Sequence, residues 1–234
     1  MINIELSNVQ IEKISDVLRG ISLHMDTYDN PKYFPPRDSK HELQFGYFTA
    51  MVAIDHRTST PLGTFEGYVD GEFFHGADLL YRLGKKVFER DPEFFLPERL
   101  AMLSCEDMLP IIKFRDIILW DFHVRTFLLR DIGKKVIEYY GGKFRKLFNV
   151  NTVEAMISRL SIFRAYEDPV HKKIFLLAKF LMGRGLVGFK DRENFEVAVD
   201  NHLSRIAIRL GIVQFSDYAP IVRQIELTRG EDIK

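Results

Sequence analysis

The amino-acid sequence predicts an all-α fold with roughly eight to ten helices. Three observations lead to this fold class. Apolar residues recur at helical spacing along most of the 234 residues, polar capping residues precede several of these runs, and no segment alternates with a period of two for long enough to require a strand. An apolar content of 46% is enough for the core of one domain over residues 1–234, either as one body or as two helical subdomains with a pocket between them.

The first ninety residues of the chain contain three predicted helices. The first follows Ser7, a typical capping residue, and ends at Gly20. The others cover residues 41–56 and 72–90, where apolar residues recur at helical spacing. Residues 57–71 lie between them and are polar and rich in glycine, so we expect a long loop, which is often a functional segment.

Six further predicted helices follow, several of which end at glycine. The longest covers residues 116–140, and Gly141 follows it directly. Pro169 is acceptable in the first turn of a helix, so a helix is expected from there to Met182. The six begin at or just after Ser104, residue 116, Thr152, Pro169, Asp200 and Asp217.

The charge and cysteine content exclude several classes of protein. Lysine and arginine total 33, as do aspartate and glutamate, and a dedicated duplex-DNA binder usually carries a basic excess. A small, buried, anionic substrate would need only a few cations. Cys105 is the single cysteine, which excludes a disulfide framework and a cysteine metal site. No signal peptide or apolar run of about 20 residues is visible, so we expect a cytoplasmic protein without membrane contact.

A carboxylate followed at once by a helix is the first candidate for chemistry. Asp200 ends a short apolar run, and the apolar residues after it recur at helical spacing. The simpler interpretation is that Asp200 caps this helix by accepting backbone N–H bonds. The alternative is a catalytic carboxylate, kept rigid and ionised at the positive end of the helix.

Two adjacent lysines near a helix start are the second candidate. Lys172 lies on the face that also carries Phe175, whereas Lys173 borders the apolar stripe of the same helix. The simpler interpretation is two solvated lysines. The functional one is a partly buried amine near Asp200, because burial and a second cation lower the pKa of a lysine and free its lone pair for attack on an electrophilic carbon.

These motifs resemble the helix-hairpin-helix base-excision glycosylases. The string V-D-x-H-x-x-R-x-x-x-R-L-G, which begins at residue 199, is similar to the end of that DNA-glycosylase-like core, and the resemblance implies a catalytic role for Asp200. The archaeal 8-oxoguanine glycosylases have a similar lysine at the start of the preceding helix, which implies Lys172, with Lys173 as the open alternative. Residues 53–58 resemble the "L-S-Q-x-T" segment, which places His56 beside the base. The glycine-rich DNA-binding hairpin of that family is missing at residues 163–169.

A longer resemblance points to the queuosine salvage family, which releases queuine from queuosine 5′-phosphate with the same helical core. The similar segments cover residues 71–83, 91–95, 163–167 and 210–216. The family's F-A-D-Y-R-V-P-Q string is not kept, because Asn-His-Leu-Ser follows Asp200 here.

The sequence thus predicts an N-glycosidase that cleaves the bond between a modified purine-like base and its sugar, with a nucleotide favoured over damaged DNA as the substrate. The alternatives are a DNA glycosylase with lyase activity, and a non-catalytic helical binding protein. Asp200 and Lys172 are the expected catalytic residues, and no metal or organic cofactor is implied.

His75 and Asp78, one turn apart on the predicted helix 72–90, are either a substrate clamp or a surface pair. The expected substrate-binding residues are His56, His75, Asp78, Phe175 and His202.

Overall fold

The computed structural model describes residues 3–22, 26–60 and 63–216, and this part of the chain is largely helical, with 55% helix and 10% strand. The prediction of a mainly helical fold is therefore confirmed. An all-α fold in the strict sense is wrong, because the described part also contains four antiparallel sheets of two short strands each. The helix predicted after Asp217 lies outside the described residues.

Ten α-helices are present in the described ranges. In chain order they are α1 (Asn8–Arg19), α2 (His41–Ile54), α3 (Ala77–Arg90), α4 (Pro97–Ala101), α5 (Cys105–Ile112), α6 (Phe122–Tyr140), α7 (Phe144–Leu147), α8 (Val153–Leu160), α9 (Lys172–Gly183) and α10 (Asn201–Arg209). The strands are β1 (Ile4–Leu6), β2 (Ser59–Thr60), β3 (Gly63–Thr64), β4 (Glu66–Val69), β5 (Glu72–His75), β6 (Lys113–Phe114), β7 (Ile117–Ile118) and β8 (Val213–Phe215). The pairs are β1 with β8, β2 with β3, β4 with β5, and β6 with β7.

The predicted capping residues begin their helices as expected. The Ser7 hydroxyl accepts the N–H of Gln10 at the start of α1, and Thr152 caps α8 in the same way. Ser104 and Asp107 form a reciprocal capping box at the start of α5.

Two predicted boundaries are wrong because short hairpins precede the helices. The described residues between 57 and 71 include the paired strands β2 and β3 and the strand β4, which forms a hairpin with β5, rather than only a loop. The hairpin of β4 and β5 turns at Asp70 and Gly71, which both have positive φ, as expected for a tight hairpin turn. The helix predicted from residue 72 therefore begins only at Ala77. Similarly, the helix predicted from residue 116 begins at Phe122, because Ile117 belongs to β7.

The chain divides into two compact units. The larger covers residues 26–198, and the smaller combines residues 1–25 with residues 199–234. In the smaller unit, β1 pairs with β8, and the Ser7 N–H donates to the Ile212 carbonyl at 2.9 Å.

The core of the larger unit surrounds α2. Every residue from Gln44 to Ile54 is buried, and α2 packs against α3, α6, α7 and α9. Gly46 permits a close approach, because a Cβ atom there would lie 2.4 Å from the carbonyl oxygen of Phe95. None of the helices in the described ranges has both the length and the apolar content needed to cross a bilayer.

Candidate functional site

Polar side chains from four helices meet at the C-terminal end of α2, within the larger unit. A helix ends in carbonyl groups that lack helical partners and carry partial negative charge, so cations and hydrogen-bond donors are favourable there. We call this group the polar cluster. Its members are Asp55, His56, Tyr81, Asp121, Arg125 and Lys173.

Arg125 holds the end of α2 in place. Its side chain is fully buried, and its guanidinium donates to the carbonyl oxygens of Ile54, His56 and Arg57 and, at 2.6 Å, to the carboxylate of Asp121. Burial opposes ionisation of Asp121, but hydrogen bonds from His56 and Arg125 outweigh it and hold the pKa of Asp121 below its ordinary value. The carboxylate and guanidinium therefore form a paired, hydrogen-bonded ionic centre.

His56 connects this ionic centre to Lys173. The Nε2 atom of His56 lies 2.9 Å from Oδ2 of Asp121, and its Nδ1 atom lies 3.1 Å from Nζ of Lys173. Burial lowers the pKa of His56 below 6.5, against the opposing effect of Asp121, so the ring is neutral at pH 7. A neutral ring with its proton on Nε2 donates to Asp121 and accepts a hydrogen bond from Lys173 through Nδ1.

Lys173 is the group with the most useful chemistry. Its amine also donates to the Ala53 carbonyl at 2.5 Å. Burial lowers the pKa of Lys173 to about 8; Asp55 opposes this effect, while the charges of Arg125 and Lys172 add to it. Roughly a quarter of the amine is then neutral at pH 7.5, against about 0.1% for an ordinary lysine, so it can act as a nucleophile or as a base.

Two buried oxygen atoms near the lysines form no hydrogen bond of normal geometry within the described part of the chain. Burial raises the pKa of Asp55, and the positive charges of Lys172, Lys173 and Arg125 oppose the rise. Burial, and to a smaller extent the nearby Asp55 carboxylate, raise the pKa of the Tyr81 hydroxyl. This hydroxyl forms no hydrogen bond of normal geometry with the residues described. Asp168 Oδ2 is likewise unpaired among them, although Oδ1 accepts the Lys172 N–H at 3.0 Å. Buried polar atoms without partners are uncommon, and they suit a site that completes its bonds with a ligand.

The structure separates the two adjacent lysines. Lys173 reaches into the polar cluster, whereas Lys172 is the first residue of α9 and contributes charge near Asp55. The helix predicted from Pro169 begins here at Lys172. Phe175, the expected base-stacking residue, is 2% exposed and packs edge-on against Phe195, so it belongs to the core.

His75 and Asp78 do not form the predicted pair on one helix. His75 is the last residue of β5, where it is exposed and its Nε2 atom lies 3.9 Å from a Glu66 carboxylate oxygen. Asp78 is exposed in the first turn of α3, which begins only at Ala77. The expected clamp assumed a helix that starts several residues too early.

Asp200 and His202 belong to the smaller unit. Oδ1 of Asp200 accepts the N–H groups of His202 and Leu203, both at 2.9 Å, so the simpler interpretation of Asp200 as a helix cap is confirmed. Its catalytic role stays a prediction. The His202 side chain is exposed, and its Nδ1 atom lies 3.4 Å from the guanidinium of Arg205.

Sequence reasoning missed the roles of Asp121 and Arg125. A signal for them was present, because an aspartate four residues before an arginine at the start of a helical run is the spacing of a helical ion pair. The depth of their burial, however, depends on the packing of α6 against α2, which no local pattern shows.

A cleft of about 440 Å³ opens elsewhere on α6, between Cys105 and residues 123–134. The Cys105 thiol lies 3.2 Å from Nδ1 of His123 in its wall. The cleft contains no member of the polar cluster, so we do not assign the site of chemistry to it. In the described part of the chain, no group of three or more His, Cys, Asp and Glu side chains is arranged to bind a metal.

No protein-family model matches the chain, and neither does any curated protein.

Proposed function

We propose that the protein is an N-glycosidase that removes a modified purine-like base from a nucleotide of the queuosine 5′-phosphate type, with Lys173 rather than Lys172 as the amine of the site. One observation carries the proposal. A half-buried lysine with a pKa of about 8 lies in the first turn of α9 and contacts His56, the residue that the motif resemblance associates with the base.

The proposed reaction breaks the bond between the sugar C1′ and the base nitrogen. The electron pair of the bond leaves with the nucleobase, and C1′ gains positive charge. A water molecule then attacks C1′ while a general base of the protein accepts a proton from that water. The neutral fraction of Lys173 is suited to accept that proton. The catalytic role of Asp200 stays a separate prediction that rests on its sequence motif, and Asp200→Asn tests it.

The direct test is to incubate the protein with queuosine 5′-phosphate and to measure the released queuine by chromatography. Lys173→Met should lower kcat by about 100-fold or more, because it removes the amine that accepts the proton from water. Lys172→Met should have a smaller effect. Lys179→Met, at an exposed position on the same helix, is the matched control and should leave kcat unchanged. Absence of queuine release by the unaltered protein would refute the proposed substrate.

A DNA glycosylase with lyase activity is the second candidate, and the neutral amine of Lys173 favours it. In that reaction the amine attacks C1′, the base leaves, and an imine forms between the lysine and the opened sugar. Borohydride reduces the imine to a stable adduct with a lesion-containing duplex. If this adduct forms with the unaltered protein and not with a variant at Lys173, the substrate is DNA rather than a free nucleotide.

A non-catalytic helical protein is the third candidate, and the capping geometry of Asp200 favours it. It predicts that Asp200→Ala costs about 1 kcal/mol of unfolding free energy, that Asp200→Asn costs less because asparagine also caps helices, and that neither change has another effect. The glycosidase proposal instead predicts that Asp200→Asn abolishes base release under conditions in which the variant is still folded.

A further inference from the structure

Trp120 presents an exposed aromatic surface on a rigid backbone. It is the only tryptophan in the chain, and its side chain is 52% exposed. Its neighbours are anchored, because Leu119 is fully buried and Asp121 is bonded to His56 and Arg125. Tryptophan held rigidly at a surface is typical of a binding site, because its large ring contacts a ligand at a small entropic cost.

Two further exposed apolar residues follow Trp120 in the chain. Val124 and Phe127, both on α6, are also about half-exposed.

The Arg57 guanidinium stacks on the ring of Trp120. Its guanidinium carbon lies 5.7 Å from the centroid of the Trp120 ring system. Its backbone has a φ of +45°, a conformation that L residues avoid, and Arg125 holds its carbonyl oxygen at 3.3 Å. Strained residues of this kind persist where the surrounding structure imposes them, and they cluster at binding sites. Arg57 forms no ion pair with any residue that the structure describes, so its charge is available to an anion.

The stacked pair borders the polar cluster. Arg57 directly follows His56, and Trp120 directly precedes Asp121, while His56 and Asp121 are hydrogen-bonded at 2.9 Å. Each member of the pair is thus one residue, or about 3.8 Å of backbone, from a member of the cluster.

We infer that Trp120 and Arg57 form the outer half of the nucleotide site, in which the exposed indole stacks on the base and the Arg57 guanidinium binds the phosphate. The inference rests on the proposed function in taking a nucleotide as the ligand. Stacking leaves the N–H edges of a guanidinium free to donate two parallel hydrogen bonds to phosphate oxygens. Base stacking on an aromatic ring tolerates any base, which suits a modified one.

Tryptophan fluorescence tests the inference, because the emission of this chain reports Trp120 alone. Guanosine 5′-monophosphate should quench it saturably, and guanosine should bind about tenfold more weakly or worse, since it lacks the phosphate. Arg57→Gln should weaken binding of the monophosphate by a similar factor and leave guanosine binding unchanged. Arg115→Gln is the matched control, because Arg115 also has a positive φ and stacks on a ring at 5.5 Å, and it should change neither affinity.

Calorimetry extends the test to a variant without tryptophan. Trp120→Ala should weaken monophosphate binding about fivefold or more, while its circular dichroism stays that of the unaltered protein because the side chain is half-exposed. Absence of quenching, equal affinities for the two ligands, or unchanged monophosphate binding by Arg57→Gln would overturn the inference.

Failure of the inference and failure of the proposed function give different results. Quenching that depends on Arg57, without base release from any nucleotide, would leave the nucleotide site in place and refute the glycosidase. Base release with a KM that neither Arg57→Gln nor Trp120→Ala alters would refute the site and leave the glycosidase in place.

Discussion

Replacing Lys173 by methionine should remove a pH dependence of the unfolding free energy that the lysine causes in the unaltered protein. Burial lowers the lysine pKa from 10.5 to about 8, and each tenfold change in a proton equilibrium is worth about 1.4 kcal/mol. The protonated amine therefore costs the folded state about 3 kcal/mol below pH 8. Methionine has a similar length and no charge, so the variant avoids this cost, although it loses the hydrogen bonds to Ala53 and His56.

The sign follows from proton binding. Between pH 8 and 10.5 the unfolded lysine keeps its proton while the folded one has lost it, so raising the pH favours the folded state. From pH 7 to pH 10, the unfolding free energy of the unaltered protein should rise relative to Lys173→Met by about 2.5 kcal/mol. The hydrogen bonds lost in the variant do not affect this difference if their strength is independent of pH.

Urea unfolding followed by circular dichroism at pH 7 and pH 10 measures both free energies. Lys179→Met is the control, because Lys179 is exposed on the same helix, and its difference from the unaltered protein should be the same at both pH values. A change of less than about 1 kcal/mol for Lys173→Met would show that the amine is not desolvated, and the reasoning about its reactivity would fail with it.

Three further predictions concern the residues around this amine. Arg125→Met should lower the unfolding free energy by about 3–5 kcal/mol in urea titrations, because it leaves the buried Asp121 carboxylate without its guanidinium partner, whereas Arg130→Met at an exposed position of the same helix should change it by about 0.5 kcal/mol or less. The imidazole of His56 should titrate below pH 6.5 in NMR spectra and carry its proton on Nε2 when neutral; a midpoint above 6.5 would contradict the buried geometry. Gly46→Ala should lower the thermal midpoint by several degrees, because its Cβ meets a carbonyl oxygen at 2.4 Å, while Gly188→Ala, with open space around it, should not.

Features that depend on local chemistry could be predicted from the sequence. The start of α1 follows from Ser7 and that of α8 from Thr152, because a cap needs only its own side chain and the next turn of backbone. The hairpin at Asp70 and Gly71 carried a tight-turn signal, but its strands of four residues are too short for an alternating pattern to be recognised.

The candidate site was harder to predict than the helices. Lys172 and Lys173 could not be distinguished from the sequence, because a shift in the helix start from Pro169 to Lys172 and the packing of α9 on α2 decide which amine is buried. The same limit hid Arg125, whose partners at Ile54 and His56 are 71 and 69 residues away.

Arg125 also makes the site dependent on the completed fold. Its bonds join the end of α2 to α6 across those long separations, and Lys173, which is 117 residues from His56, adds a third helix. Because no short segment contains the assembled group, a partly unfolded molecule should have no partial activity. Denaturant should therefore abolish ligand turnover and tertiary packing at the same midpoint, as expected when a working site and its scaffold form in a single cooperative step.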